Sequence, residues 1–253
     1  MPESSPLRVE RDGELLRITL ARPDRRNALD AELIAALTAA FSDVGDSRAV
    51  ILAGEGESFC AGADVEWMRA AAELSYEENV ADSTRLRRMY EAVDHCPAPV
   101  LAPVQRHALG GGIGLVCCCD AVVAADDAVF AFSEVKLGII PAVISPFAIA
   151  RVGPSAARRY FVTGERFDAA VALRIGLVHE VVPPDALEAA VDRIVAEVLT
   201  AGPEAAQHAK RLVLDAPLDG LETARRIAER RTSDEGQEGL RAFLERRKPR
   251  WTS

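Results

Sequence analysis

The fold of this 253-residue chain follows from eight residues, His107-Ala108-Leu109-Gly110-Gly111-Gly112-Ile113-Gly114. They come directly after the apolar run Pro99-Val100-Leu101-Ala102-Pro103-Val104, which predicts a β-strand, and they lead into residues 114–118, which predict a buried helix. Glycines between a strand and a helix leave the first N–H groups of the helix open to a ligand atom. This segment therefore predicts a strand–turn–helix unit with an oxygen-binding turn.

A second glycine-containing turn, Ser58-Phe59-Cys60-Ala61-Gly62-Ala63-Asp64, follows a strand predicted at residues 50–53 and precedes a helix predicted at residues 66–72. Two such turns side by side can hold one oxygen between two backbone amides, which is the arrangement that stabilises an oxyanion. Either turn alone is equally well explained as a connection between elements. The dinucleotide-binding fingerprint is excluded because position 115 is leucine, and no phosphate loop ending in Gly-Lys-Ser/Thr occurs.

Glu134 offers an acid–base group for such a site, because it lies within the mostly apolar run 130–141. Burial disfavours the ionised form of a carboxyl group and raises its pKa toward the range of a general acid or base. Two other interpretations stay open: an ion pair with Lys136, or an exposed strand position. A catalytic Cys60–His107 pair is a further alternative, although Cys60 is explained more simply as a small buried side chain.

Up to about residue 144, strands and helices alternate, which places the chain in the α/β class. The other elements predicted there are a hairpin at 9–20 with its turn at Asp12-Gly13, helices at 30–41 and 79–94, and a strand at 121–125. The prolines of the strand at 99–104 favour an irregular or edge position. Beyond residue 144 the pattern predicts almost only helices, at 145–152, 154–162, 168–175, 184–201, 203–214 and 219–247.

The composition excludes several classes of protein. Hydrophobic residues make up 49% of the chain, which excludes intrinsic disorder, and no apolar run is long enough to span a membrane. The balance of 39 acidic against 30 basic residues gives a net charge of −9 and argues against nucleic acid as the main partner. Residues 221–253 nevertheless carry nine lysines and arginines, which predict a solvated helical face or contact with a small polyanion such as a nucleotide phosphate.

The five cysteines include the run Cys117-Cys118-Cys119, and neighbours this close do not form a disulfide framework. Their spacing also offers no metal site. We therefore expect buried thiols in a cytoplasmic protein. Residues 1–6 show neither the basic start nor the apolar run of a secretory signal, so none is expected.

Taken together, these segments resemble the enoyl-CoA hydratase/isomerase (crotonase) superfamily over nearly the whole chain. The matching stretches are 22–23, 27–29, 59–64, 108–112, Glu134, 137–141, 163–166, Ala172, 176–178 and 238–247. Residues 133–147 look most similar to the branch that contains methylglutaconyl-CoA hydratases. The resemblance implies a spiral of strand–strand–helix units over residues 1–195 and a helical oligomerisation region over residues 196–253, assembled as a homotrimer or a dimer of trimers.

The resemblance also implies roles for individual residues. Ala61 and Gly111 match the residues whose backbone amides bind the thioester oxygen, and Glu134 matches the carboxylate that moves protons at the substrate's α or β carbon. Coenzyme A is part of the substrate, so neither a separate cofactor nor a metal is expected. The residues expected to bind the acyl-CoA are Arg25, Arg26, Ala61, Gly62, Ala63, Asp64, Phe243 and Arg246.

Two positions depart from the family pattern. Hydratases of short straight-chain substrates carry a second glutamate, which helps to hold the attacking water, where this chain has Gly114. The family usually has glycine where this chain has Arg106, whose side chain would clash, reshape the turn or meet a substrate carboxylate. The methylglutaconyl-like branch often has the pattern Gly-Gly-Gly-x-Gly, so Gly114 remains compatible with hydration.

The resemblance therefore implies a hydratase that adds water across the 2,3 double bond of a 2-enoyl-CoA through a thioester enolate. Branched and carboxylated acyl groups are among the expected substrates. Two alternatives remain: a Δ3–Δ2 enoyl-CoA isomerase, which also needs a single carboxylate, and a non-catalytic acyl-CoA binder.

Overall fold

The computed structural model describes residues 5–252. Residues 1–4, on which most of the expectation about a secretory signal rests, and residue 253 lie outside the described residues. The described strands are β1 (Leu7–Asp12), β2 (Leu15–Leu20), β3 (Ala49–Gly54), β4 (Val100–Val104), β5 (His107–Leu109), β6 (Ala121–Ala125), β7 (Val129–Ala131), β8 (Phe167–Asp168) and β9 (Glu180–Val182). The α-helices are α1 (Ala31–Ser42), α2 (Val65–Ala71), α3 (Tyr76–Asp94), α4 (Gly111–Cys118), α5 (Ser145–Thr163), α6 (Ala169–Arg174), α7 (Leu187–Thr200), α8 (Pro203–Leu214), α9 (Gly220–Thr232) and α10 (Asp234–Leu244).

The strands form two sheets. The larger sheet has the order β1-β2-β3-β4-β6-β9, and all its neighbours are parallel except the β1–β2 hairpin. The smaller sheet has the order β5-β7-β8. Helices lie between the parallel strands in sequence, as the crossover connection of parallel strands requires, so the predicted α/β class is confirmed.

The larger sheet is covered on both faces. On one face α1 and α3 pack together, and their buried side chains, such as Leu37 and Met89, join a core that includes Leu52 of β3. On the other face α7 packs on β3, β4 and β6, where Val191 joins a second core with Ile51. The boundary expected at residue 195 falls inside α7. This helix, which covers one face of the larger sheet, ends at Thr200.

The position expected for the strand at 99–104 is wrong. β4 is an interior strand that pairs with β3 on one side and with β6 on the other. Its prolines are tolerated because Pro99 precedes the strand and Pro103 lies past Leu101, the last residue in register with β3.

The helical second half agrees with the prediction in some places and differs in others. The break predicted between 145–152 and 154–162 is confirmed, because α5 kinks at Gly153, whose φ of 72° and ψ of 163° are not helical. The single helix predicted at 219–247 is two helices, because Ser233 adopts an extended conformation and its hydroxyl caps α10. The short strands β8 and β9 had no sequence signal, since two or three residues show no period.

Of the last three helices, α10 packs on both α8 and α9. Lys210 of α8, whose side chain is almost wholly buried, pairs with Asp120 at 2.7 Å and so ties α8 to the residues that precede β6. Among residues 5–252 no helix is both long and apolar enough to span a membrane.

Gly114 lies where α4 packs closely against Ile144 and against Tyr90 of α3. A Cβ atom added there would lie 2.5 Å from the Cγ2 atom of Ile144 and 2.9 Å from the ring of Tyr90. Gly114→Ala therefore should lower the free energy of unfolding by about 1–3 kcal/mol, since overpacking outweighs the better helix propensity of alanine. Urea denaturation monitored by circular dichroism checks this. Gly220→Ala is the control, because nothing lies within 4 Å of its Cβ position; equal stability of the two variants would contradict the prediction.

Candidate active site

A cavity of about 240 Å³ lies where α2, α3 and the first turn of α4 meet the loop that follows Glu134. Its wall is mostly apolar, and Ala63 and Gly111 contribute backbone to it. Glu134 and Tyr90 are polar groups on this wall. The larger apolar side chains are those of Leu29, Trp67, Met68, Leu86, Ile139, Ile140, Val143 and Ile144.

The two glycine turns meet at this cavity, as the sequence predicted. The Cys60 N–H donates to the His107 carbonyl at 3.0 Å, and the Leu109 N–H donates to the Cys60 carbonyl at 3.1 Å. This bridge brings residue 62 so close that a Cβ at Gly62 would lie 2.8 Å from the Leu109 carbonyl oxygen. Gly62 also has a φ of 99°, which side chains rarely tolerate.

The open amides at the cavity are those of Ala63 and Gly111. Within residues 5–252, neither N–H has a hydrogen-bond acceptor, and both residues line the cavity. Ala61, expected to supply one of these amides, instead donates its N–H to the Arg26 carbonyl at 3.0 Å and does not line the cavity. The open amides are thus those of Gly111, as expected, and of Ala63, which lies two residues after the expected Ala61.

Glu134 begins a short 3-10 helix at the edge of the cavity. Its Oε2 atom is buried and has no hydrogen-bond partner among the described residues. Burial raises the pKa of this carboxyl group above its ordinary value, and only its own backbone N–H acts in the opposite direction. No ion pair joins Glu134 to Lys136 among the described residues, and Oε2 is without a partner, so the ion-pair alternative is excluded. The carboxylate faces the glycine turn, since a Cβ at Gly110 would lie 3.7 Å from Oε1.

Tyr90 is a site residue that the sequence did not reveal. It is fully buried, and its hydroxyl donates to the Gly111 carbonyl at 2.8 Å. Burial raises the pKa of the phenol well above its ordinary value. In the sequence, Tyr90 was indistinguishable from a core residue of the predicted helix at 79–94, because only the fold shows that it touches the glycine turn.

The side chain of Asn27 holds the glycine turn at residues 58–64 in place. Its buried side-chain amide donates to the carbonyls of Ser58 (2.8 Å) and Phe59 (3.1 Å) and also to that of Glu55. The sequence offered Asn27 only as part of a matching motif. At the end of the same turn, Asp64 caps α2. Burial opposes ionisation of Asp64, but the N–H groups of α2 and the Arg25 guanidinium hold its pKa below the ordinary value.

The Cys60–His107 alternative is excluded by its surroundings. Burial raises the pKa of the Cys60 thiol to about 12, so the nucleophilic thiolate does not form near neutral pH. The His107 Nδ1 atom lies 3.0 Å from the Ser58 hydroxyl, which is its hydrogen-bond partner. Cys117, Cys118 and Cys119 are buried free thiols, as predicted.

Arg106 points away from the cavity. Its side chain is exposed and pairs with Asp127 at 3.2 Å. Its φ of 55° is the left-handed conformation that favours glycine. Residue 106 therefore has the backbone conformation of a glycine although it is an arginine. Its side chain does not clash with the glycine turn that follows.

The residues expected to bind coenzyme A lie in two places. Arg25 is half-exposed and pairs with Asp64 at 3.3 Å beside the cavity, and Arg26 is exposed in the same turn. Phe243 and Arg246 are exposed near the end of α10 and do not line the cavity.

The basic C-terminal stretch is partly neutralised within the chain. Arg226, Arg230 and Arg247 each pair with two carboxylates. These three arginines thus match the predicted solvated helical face better than a site for a polyanion.

The family model named enoyl-CoA hydratase/isomerase matches residues 10–253 of the chain. This chain belongs to the enoyl-CoA hydratase/isomerase family. A crotonyl-CoA hydratase from Syntrophomonas wolfei is 34% identical over 259 residues, covering 97% of this chain and 97% of the relative. The chain is therefore an enzyme of this family, whose named relatives hydrate enoyl-CoA.

Two solved structures that are similar in sequence show the same fold. The structure of an enoyl-CoA hydratase from Shewanella pealeana has a TM-score of 0.92 and 39% sequence identity, and covers 97% of this chain and 96% of that one. The structure of Pseudomonas aeruginosa AtuE has a TM-score of 0.94 and 36% identity, and covers 98% of this chain and 100% of that one. The crotonase-like fold expected from the sequence is thus confirmed.

Glu134→Gln should remove activity and stabilise the fold. A proton-transferring carboxylate contributes roughly 10²–10⁴-fold to turnover, so a loss of that size is expected. Because burial raises the pKa of Glu134, ionisation destabilises the native state as pH rises through that pKa. The variant should therefore resist urea better than the wild type at pH 8, and this advantage should vanish in acid. Steady-state kinetics and urea titrations at both pH values check the two effects; unchanged turnover would exclude Glu134 from catalysis.

Arg106→Gly should leave turnover within about twofold of the wild type, because the side chain faces solvent. Its stability should exceed that of Arg106→Ala, since glycine relieves about 1–2 kcal/mol of left-handed strain while both variants lose the same exposed ion pair. Kinetics with carboxylated and uncharged substrates and thermal unfolding of both variants check this. A selective loss of activity toward carboxylated substrates would show that Arg106 contacts them.

Proposed function

We propose that this enzyme adds water to a 2-enoyl-CoA, with Glu134 transferring the protons and the N–H groups of Ala63 and Gly111 binding the thioester oxygen. One observation carries the proposal: the buried, unpartnered carboxylate oxygen of Glu134 shares a small apolar cavity with two open amides. An apolar, water-poor site strengthens both the carboxylate as a base and the amides as donors to a developing oxyanion.

The reaction balances with these groups alone. Ionised Glu134 takes a proton from water while the water oxygen forms a bond to C3 of the substrate. The electron pair of the 2,3 double bond moves toward the thioester carbonyl, whose oxygen becomes negative and accepts hydrogen bonds from Ala63 and Gly111. Protonated Glu134 then delivers its proton to C2, the carbonyl re-forms, and the carboxylate is regenerated. In this proposal no separate cofactor takes part.

The wall of the cavity favours an uncharged acyl group. No lysine or arginine lines it within the described residues, so a substrate carboxylate would lose its hydration without gaining a cation. Asp82 on the same wall is itself acidic. We therefore propose uncharged acyl groups, branched ones included, rather than the carboxylated substrates implied by the methylglutaconyl-like resemblance.

The isomerase remains the second candidate, and Gly114 is the observation that favours it. One carboxylate and two amides are enough to move a double bond by removing and returning a proton. A non-catalytic binder is disfavoured, because burying an unpartnered carboxylate such as Glu134 costs folding free energy that binding alone does not require.

We propose that coenzyme A extends from the cavity past the turn that holds Arg25 and Arg26, whose charges suit its phosphates. Phe243 and Arg246 would contact the coenzyme A of a neighbouring subunit in a homotrimer or a dimer of trimers. Support for assembly comes from the C-terminal helices, which expose many large apolar side chains. These are Leu212, Val213, Leu214, Leu221, Ile227, Leu240, Phe243 and Leu244.

A panel of 2-enoyl-CoAs tests the function. The wild-type enzyme is incubated with straight, methyl-branched and carboxylated substrates, and the products are identified by mass spectrometry. We expect a mass gain of one water on the uncharged substrates and kcat/KM at least about tenfold lower on the carboxylated ones, because the cavity offers no cation to pair with them. A shifted double bond without added water would instead establish the isomerase, and binding without turnover would establish the binder.

A further inference from the structure

Position 114 is a glycine, so it brings no side chain to this cavity, and the fold leaves no room for one. Gly114 is buried, and the Cβ position is blocked by Ile144 at 2.5 Å and by the Tyr90 ring at 2.9 Å. The space beside Gly114 is thus filled by Ile144 and by Tyr90 of α3. The polar group that reaches this space is the Tyr90 hydroxyl.

The hydroxyl of Tyr90 and the carboxylate of Glu134 lie at the same turn. A Cβ at Gly111 would be 3.1 Å from the Tyr90 Oη atom, and a Cβ at Gly110 would be 3.7 Å from the Glu134 Oε1 atom. Neighbouring Cα atoms are only about 3.8 Å apart. Both side chains line the cavity, so a small molecule beside this turn can meet both.

The hydrogen bonds of Tyr90 leave its oxygen able to accept. A phenol has one proton to donate and lone pairs to accept with. The proton of Tyr90 is committed to the Gly111 carbonyl at 2.8 Å. The oxygen can therefore accept a hydrogen bond from a water molecule, which leaves a lone pair of that water free to attack.

The other polar side chains on the wall are less well placed. Asn79 donates its side-chain amide to the carbonyls of Leu74 and Ser75, and Asp82 pairs with Arg85 at 2.7 Å. Ser83 lies seven residues before Tyr90 on α3, which places it about 10 Å along the helix from it.

We propose that the Tyr90 phenol holds the attacking water, accepting a hydrogen bond from the water that Glu134 deprotonates. This proposal rests on the hydration proposed above and adds to it a positioning residue for the second reactant. It also predicts a selective effect. Proton exchange at C2 of a saturated acyl-CoA uses Glu134 and the two amides but adds no water to C3, so it does not need Tyr90 to hold one.

The test compares Tyr90→Phe with the wild type in two reactions, hydration of a 2-enoyl-CoA and deuterium exchange at C2 of the corresponding saturated acyl-CoA. We expect the kcat of hydration to fall at least about tenfold, as loss of one well-placed hydrogen bond implies, while exchange stays within about threefold. Tyr160→Phe is the matched control, because Tyr160 is also buried but does not line the cavity; it should leave both rates unchanged. Glu134→Gln should abolish both reactions.

Each other outcome overturns a specific part. Unchanged hydration by Tyr90→Phe, or an equal loss of hydration and exchange, overturns the water-holding role while leaving the hydratase proposal intact. A wild-type enzyme that exchanges the C2 proton but hydrates no substrate overturns both.

A second measurement does not depend on the variant folding. A crystal structure of the wild-type enzyme with a saturated acyl-CoA should show a water within about 3.2 Å of both the Tyr90 oxygen and a Glu134 carboxylate oxygen. A water bound to Glu134 and to a different side chain would overturn the role of Tyr90.

Discussion

The site depends on the close approach of two backbone segments, residues 60–62 and 107–112, which are joined by two hydrogen bonds at Cys60. This approach is possible only without side chains between them. A Cβ at Gly112 would lie 2.2 Å from the Cys60 carbonyl oxygen, and one at Gly62 would lie 2.8 Å from the Leu109 carbonyl oxygen. The glycines therefore serve mainly to let one strand–turn–helix unit pack on another. The open amides at the cavity follow from that packing.

Glu134 shows how the fold and the chemistry oppose each other. The buried carboxylate oxygen has no partner among the described residues, and this raises the pKa and destabilises the ionised protein. The two cores on either side of the larger sheet supply the stability that offsets this local cost. An ion pair with Lys136 would have removed the cost, but it would also have lowered the basicity that the proposed reaction needs.

Much of the fold could be predicted from local pattern. Alternating apolar runs indicated the hairpin, β3, β6 and most helices, and glycines after strands indicated the two turns. What could not be predicted depends on partners distant in sequence. The open amide belongs to Ala63 rather than Ala61 because the Arg26 carbonyl takes the Ala61 N–H, and β4 is interior because β6 pairs beside it. The break at Ser233 had a local cause, a serine cap, but a continuous helical pattern hid it.

A phenol beside a lone carboxylate has a chemical consequence that a second carboxylate would not have. Two neighbouring carboxylates raise each other's pKa and come to share a proton. Tyr90 stays neutral, because burial raises its pKa well above the ordinary value, so it can accept a hydrogen bond from water without competing for the proton. In the proposed reaction, Glu134 both takes the proton from water and returns it to the substrate. With a single group doing both, the proton and the oxygen of water add to the same face of the double bond.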